Sequence, residues 1–111
     1  MIDAIEVVYL YVPDVAAAVA FYERALGLSF EQFDEHWAET RVGGTRFAFH
    51  LGERAEPGTA IFDFRVDDID ESVALLRDRG IDVGEITRVP HGSFAQFRDL
   101  NGYRVELFQP A

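Results

Sequence analysis

Apolar and polar residues follow two rhythms along this chain, one of period two and one of helical period, and each is used twice. Residues 5–12 are rich in Val and Tyr and predict a strand. Pro13-Asp14 stops it. Asp14 is a good helix N-cap, and Val15, Val19, Tyr22 and Leu26 then recur at helical spacing. Gly27 is placed to end that helix. Residues 28–33, 36–42 and 45–51 predict three strands, with Gly43-Gly44 as the turn between the last two. Residues 53–58 form a polar connection containing Pro57 and Gly58. The order then recurs. Residues 59–66 predict a strand, and Asp68 caps a second helix with Glu71 as its capping-box partner. Ile69, Val73 and Leu76 form the apolar stripe of that helix, and Gly80 ends it. Strands at 81–89, 92–98 and 103–108 complete the second half. The last two are joined through Asn101-Gly102, which predicts a type I′ hairpin turn.

The repeat extends to individual residues. Val12-Pro13-Asp14-Val15 matches Val66-Asp67-Asp68-Ile69, and Gly44-Thr45-Arg46-Phe47 matches Gly102-Tyr103-Arg104-Val105, spaced a few residues wider. The expected organisation is one domain over residues 1–111, built from β-α-β-β-β modules at 1–52 and 58–111. A ferredoxin-like fold is the alternative, but it lacks the third strand after each helix.

Strand alternation sorts side chains by face. A helix-covered face must be apolar, and Val8, Leu10, Val12, Phe47, Phe49 and Leu51 fit it, as do Phe62, Phe64, Val66, Val105 and Leu107. The opposite face then carries Val7, Tyr9 and Tyr11, Arg46, Ala48 and His50, Ile61, Asp63 and Arg65, and Arg104, Glu106 and Phe108. Glu106 lies mid-strand, where carboxylates are usually avoided, and is the residue most in need of a reason. Arg104, Arg46 and Arg65 are its candidate partners. A merely solvated sheet face would look similar.

Composition narrows the function. The chain has 111 residues, 20 acids against 10 bases, a net charge of −10 and no Cys. Every base is Arg. This balance excludes a nucleic-acid backbone as partner, because phosphate binding needs a basic face. It serves solubility first and attraction of a cationic ligand second. Without Cys there is no disulfide or thiolate chemistry. No apolar run approaches the roughly 20 residues of a membrane span, and no secretory leader is visible, so a cytoplasmic location is expected. No nucleophile sits in a strand-turn-helix elbow.

Asp99-Leu100-Asn101-Gly102, followed by Glu106-Leu107, resembles the closing strand of the vicinal oxygen chelate superfamily: glyoxalases, extradiol dioxygenases, and fosfomycin- and bleomycin-resistance proteins. The tandem repeat, and the Asp14 and Phe21-Tyr22 positions of the first module, carry the resemblance over nearly the whole chain. It implies an α+β fold in which tandem βαβββ modules curl their sheets into a half-barrel around a site. In metal-dependent members the position of Glu106 is a metal ligand, and the equivalent ligand positions here read Val7, Ala48 and Ile61. Aliphatic side chains offer no lone pair, and one carboxylate does not hold a divalent ion against water. No metal and no other cofactor is therefore expected, unless His50, Asp63 and Glu106 regroup as a displaced site.

Two functions follow. One is a metal-free binding protein of the bleomycin-resistance type, sequestering an aromatic or cationic small molecule between Tyr9, Tyr11, Trp37, Arg46, Asp63, Arg65, Phe97, Arg104 and Phe108. The other is an enzyme with Glu106 as acid or base, His50 as its partner and an Arg as anion clamp. His36, Trp37 and His91 stand at strand starts, where they would rim a pocket or cover a dimer seam. A homodimer is expected, because open sheet edges are rarely left uncovered.

Overall fold

The computed structural model describes residues 1–54, 56 and 60–111. It divides into two compact units, Met1–Glu56 and Pro57–Ala111. Each contains one helix and one four-stranded mixed sheet, an α+β arrangement.

In the first unit β1 (Val7–Val12), α1 (Val15–Leu26), β2 (Glu31–Gln32), β3 (Trp37–Val42) and β4 (Thr45–Leu51) follow one another. The sheet order is β1-β4-β3-β2, with β1 parallel to β4 and the other pairs antiparallel. Asp14 caps α1 by accepting the Ala17 N–H, and Gly27 closes it in the left-handed conformation that costs a glycine nothing. The helix packs on β3 and β4. Tyr22, fully buried, meets Phe49 at 5.0 Å and Phe47 at 5.5 Å between ring centroids, and Phe30 stacks on Phe49 at 5.1 Å.

The second unit repeats this plan with β5 (Ile61–Arg65), α2 (Ile69–Asp78), β6 (Thr87–Val89), β7 (Gly92–Arg98) and β8 (Arg104–Pro110) in the sheet order β5-β8-β7-β6. Asp68 accepts the Glu71 N–H at the start of α2. Ile69, Val73 and Leu76 are buried against β7 and β8, whose inward residues are Ala95, Phe97, Val105 and Leu107. The internal repeat reappears in the strand register: Val7 pairs with Arg46 in the first sheet, and Ile61 with Arg104 in the second.

Three expectations are corrected. The strand predicted at 28–33 shrinks to Glu31–Gln32. Side chains satisfy the backbone ahead of it: the Glu23 carboxylate accepts the Phe30 N–H at 3.0 Å, and the Thr40 hydroxyl donates to the Ser29 carbonyl at 2.6 Å. The strand predicted at 81–89 shrinks to Thr87–Val89. Ile81 and Val83 are buried plugs there, the Ile81 N–H donates to the Leu76 carbonyl, and Arg77 donates to the Val83 and Gly84 carbonyls. The turn at Asn101-Gly102 is not type I′, because only Gly102 has positive φ (85°). Asp99 organises it instead. Its buried carboxylate accepts the N–H groups of Asn101 and Tyr103 at 2.8 and 2.9 Å, and its carbonyl accepts that of Gly102. Smaller differences occur at strand ends: β1 begins at Val7 and β8 runs on to Pro110. Part of the predicted 53–58 connection, and Thr59 of the 59–66 strand, lie outside the described residues.

Candidate functional site

Each sheet has one face covered by its helix and one face left open, and the predicted site residues divide between the two open faces. On the first sheet the rows are set by register. Tyr9, Ala48 and Glu39 lie side by side, then Tyr11, His50 and Trp37. Tyr9 and Tyr11 are 43% and 44% exposed, large fractions for aromatic residues mid-strand. Tyr9 lies 5.5 Å from Trp37 and 5.9 Å from His50, and Tyr11 lies 5.3 Å from His50. Tyr9 meets Tyr11 edge-on at 5.7 Å, and their hydrogen bond and shared charge push the Tyr11 phenol above its usual range. A side chain at Gly52 would collide with the Tyr11 ring, so that glycine is the seat on which the ring lies.

His50 Nδ1 lies 2.8 Å from the Leu51 carbonyl. That contact assigns the proton to Nδ1 and leaves Nε2 as the acceptor. Arg46 is already engaged. Its guanidinium pairs with Glu39 at 3.1 Å and with Glu6 at 3.4 Å. Glu39 also accepts the Trp37 indole N–H at 2.9 Å, and that bond, with Arg46, holds its carboxyl below the usual range. Sequence reasoning missed Glu39, although it shares its strand face with Trp37 two residues away.

On the second sheet Asp63, Glu106 and Gln96 form one row across β5, β8 and β7. Gln96 donates its amide N–H to Glu106 Oε2 at 2.7 Å. Partial desolvation comes first, then the hydrogen bond and charge of Glu106, in pushing the Asp63 carboxyl up to about 6. The pair holds one proton between two acids at mildly acidic pH. Glu106 thus pairs with Asp63 and Gln96, and the expected network to Arg104, Arg46 or Arg65 is absent among the described residues. Gln96 was missed, yet counting back through the hairpin from Arg98 opposite Arg104 places it opposite Glu106.

The row on one side of Asp63, Glu106 and Gln96 holds Ile61, Arg104 and Arg98, and the row on the other side Arg65, Phe108 and Phe94. His91 stacks on Phe108 at 6.0 Å, and the Phe108 ring covers Gly92, where a side chain would collide with it. Phe97 does not join this face. It pairs with Val105 on the helix side, 4% exposed, and belongs to the core.

The residues do not fit a resident metal ion. Val7, Ala48 and Ile61 stand where ligands are expected, and no group of three or more His, Asp or Glu side chains comes together among the described residues. His50 is held to Leu51, and Asp63 spends its carboxyl on Glu106.

Solved structures share this architecture along nearly their whole length. An antibiotic binding protein, TnmS3 from Streptomyces sp. CB03234, is 27% identical with a TM-score of 0.79, covering 99% of this chain and 98% of its own. Lactoylglutathione lyase from Agrobacterium tumefaciens is 23% identical with a TM-score of 0.79, covering 96% and 92%. A glyoxalase/bleomycin resistance protein/dioxygenase from Nocardioides is 21% identical with a TM-score of 0.81, covering 99% and 85%. No curated protein matches the sequence. Residues 2–107 match the family described as Glyoxalase/Bleomycin resistance protein/Dioxygenase superfamily. With the repeated βαβββ plan, the closing Gly102-to-Glu106 strand and that match over both units, the chain belongs to this superfamily, the vicinal oxygen chelate proteins.

Proposed function

We propose that this chain is a metal-free small-molecule binding protein that receives an aromatic, cationic ligand on the open face of its first sheet. The observation that carries the reading is the aromatic platform of Tyr9, Tyr11, Trp37 and His50, two of whose rings are over two-fifths exposed. Exposed aromatic faces in contact with one another offer stacking area and a negative π-surface for a cation. The net charge of −10 attracts the same class of ligand. An antibiotic-binding relative supports small-molecule binding, and the aliphatic ligand positions support binding without a metal.

Trp37 is the single tryptophan, so its fluorescence reports on this face alone. Titration with planar aromatic cations and matched uncharged aromatics is expected to give saturable quenching that favours the cations. Replacing Tyr9 and Tyr11 together by Leu is expected to weaken binding roughly tenfold or more, the scale of losing about two stacking contacts. Quenching that survives the double replacement unchanged, or elemental analysis after dialysis giving about one divalent metal per chain, overturns the proposal.

A second reading rests on the acid pair. With Asp63 at about 6, Asp63–Glu106 carries a proton close to neutrality, as an acid–base catalyst requires. In that reading His50, whose Nδ1 is held by the Leu51 carbonyl, offers Nε2 as a second base. Turnover of a substrate abolished by Glu106→Gln, with ligand binding retained, favours it.

A further inference from the structure

Arg98 and Arg104 face each other directly across β7 and β8, on the open side of the second sheet. Like charges opposite one another in an antiparallel pair are destabilising. This chain has 20 acids for 10 arginines, so a carboxylate to separate the two guanidiniums was available in composition. None does so. Arg98 donates to the Gly102 carbonyl at 2.9 Å, which fixes it at the hairpin end, and neither guanidinium makes an ion pair among the described residues. Arg46 and Arg88, by contrast, both have carboxylate partners.

The two arginines line a cleft of about 440 Å³ together with Asp82, Gln96 and Phe97. Among the residues that line this cleft two cations stand against the single carboxylate of Asp82. Arg104 is half-buried, which lowers the dielectric around its charge and raises the value of a partner. Guanidiniums present forked N–H donors that match the oxygens of a carboxylate or phosphoryl group. Glu106 and Asp63 lie one row along the strands and are committed to each other and to Gln96.

We propose that Arg98 and Arg104 form an anion subsite that takes a carboxylate or phosphoryl group of a small molecule between them. The site is independent of the aromatic platform, and its test is read on arginine side chains, not on Trp37. Inorganic phosphate and malonate are titrated separately into the 15N-labelled protein, with sodium chloride at matched ionic strength as reference, following the Nε–Hε signals. Saturable shifts of Arg98 and Arg104 are expected with at least one of the two anions. Saturation by phosphate alone assigns a phosphoryl ligand, and by malonate alone a carboxylate. Arg104→Gln is expected to weaken the response roughly tenfold or more, and Arg104→Lys, which keeps the charge but loses the fork, by less. Arg88→Gln removes the same charge from the exposed Arg88–Asp70 pair and is expected to leave the affinity unchanged. Shifts no larger than those with chloride overturn the proposal, as does an equal loss in Arg104→Gln and Arg88→Gln. Should Arg104→Gln fail to fold, the wild-type titration still decides: saturation at Arg98 and Arg104 but not at Arg88 supports the site, and uniform shifts sink it.

Discussion

At the scale of residues, two carboxylates respond to pH with opposite sign. Glu39 is held below its usual range by the Trp37 indole and Arg46, so its contribution is present above the ordinary carboxylate range and fades as pH falls. Asp63 is raised from 3.8 to about 6, so the folded state binds the extra proton. Its contribution is full below about pH 4 and is lost as pH rises towards 6, where like charges meet across β5 and β8. Asp63→Asn is therefore expected to melt higher than wild type at pH 7, with the two curves converging by about pH 4. Asp63 is exposed, so solvent screening keeps the gain on the order of 1 kcal/mol or less. Glu106→Gln is expected to return the Asp63 carboxyl towards the ordinary range. Thermal melts across pH and carbon-detected titration of residue 63 check both, and a wild-type stability that climbs from pH 4 to 7 in parallel with Asp63→Asn would refute the shared proton.

At the scale of elements, both helices begin on an aspartate whose side chain accepts the N–H three residues on, Asp14 to Ala17 and Asp68 to Glu71. Losing such a cap costs about 1 kcal/mol. Asp14→Ala and Asp68→Ala are each expected to lower stability by that amount, as measured by urea unfolding. Because the caps sit in different units, the double variant is expected to show the sum. α2 already carries Asp70 and Glu71 in its first turn, which favour its N-terminal dipole, whereas α1 has no acid there. The loss at Asp14 is thus expected to be the larger. Equal tolerance of both substitutions would mean that tertiary packing alone holds the helix starts.

At the scale of the whole molecule, each four-stranded sheet has two edge strands, β1 and β2 in one, β5 and β6 in the other. Edge strands invite pairing with another chain. A homodimer is the expected assembly, and light scattering should return twice the 12.5 kDa chain mass at micromolar concentration. A monomer mass under those conditions would remove this expectation while leaving the aromatic platform and the arginine cleft untouched, since each lies within one unit.

The sequence by itself determined what is local. An aspartate before a helical stripe marks a helix start, β4 and β7 follow from alternation between turn residues, and the repeat is visible because the same local rules were used twice. Alternation also placed Tyr9, Tyr11, His50, Asp63 and Glu106 on open faces. Tertiary structure decided who meets whom. The partner of Glu106 is Asp63 because β5 runs parallel to β8, and a parallel pairing has no turn between its strands to announce its register. Of the arginines expected to hold Glu106, Arg46 is spent on Glu39, Arg104 stands opposite Arg98 and Arg65 opposite Phe108, because cross-strand register and not sequence proximity sets the neighbours. Segments 28–30 and 81–86 read as strands by composition but not in structure, because Glu23, Thr40 and Arg77 satisfy their backbones across distances that no periodicity records. Phe97 reads as a site residue by type and is a core residue by register, one position from Gln96, where a single step along a strand exchanges one face for the other.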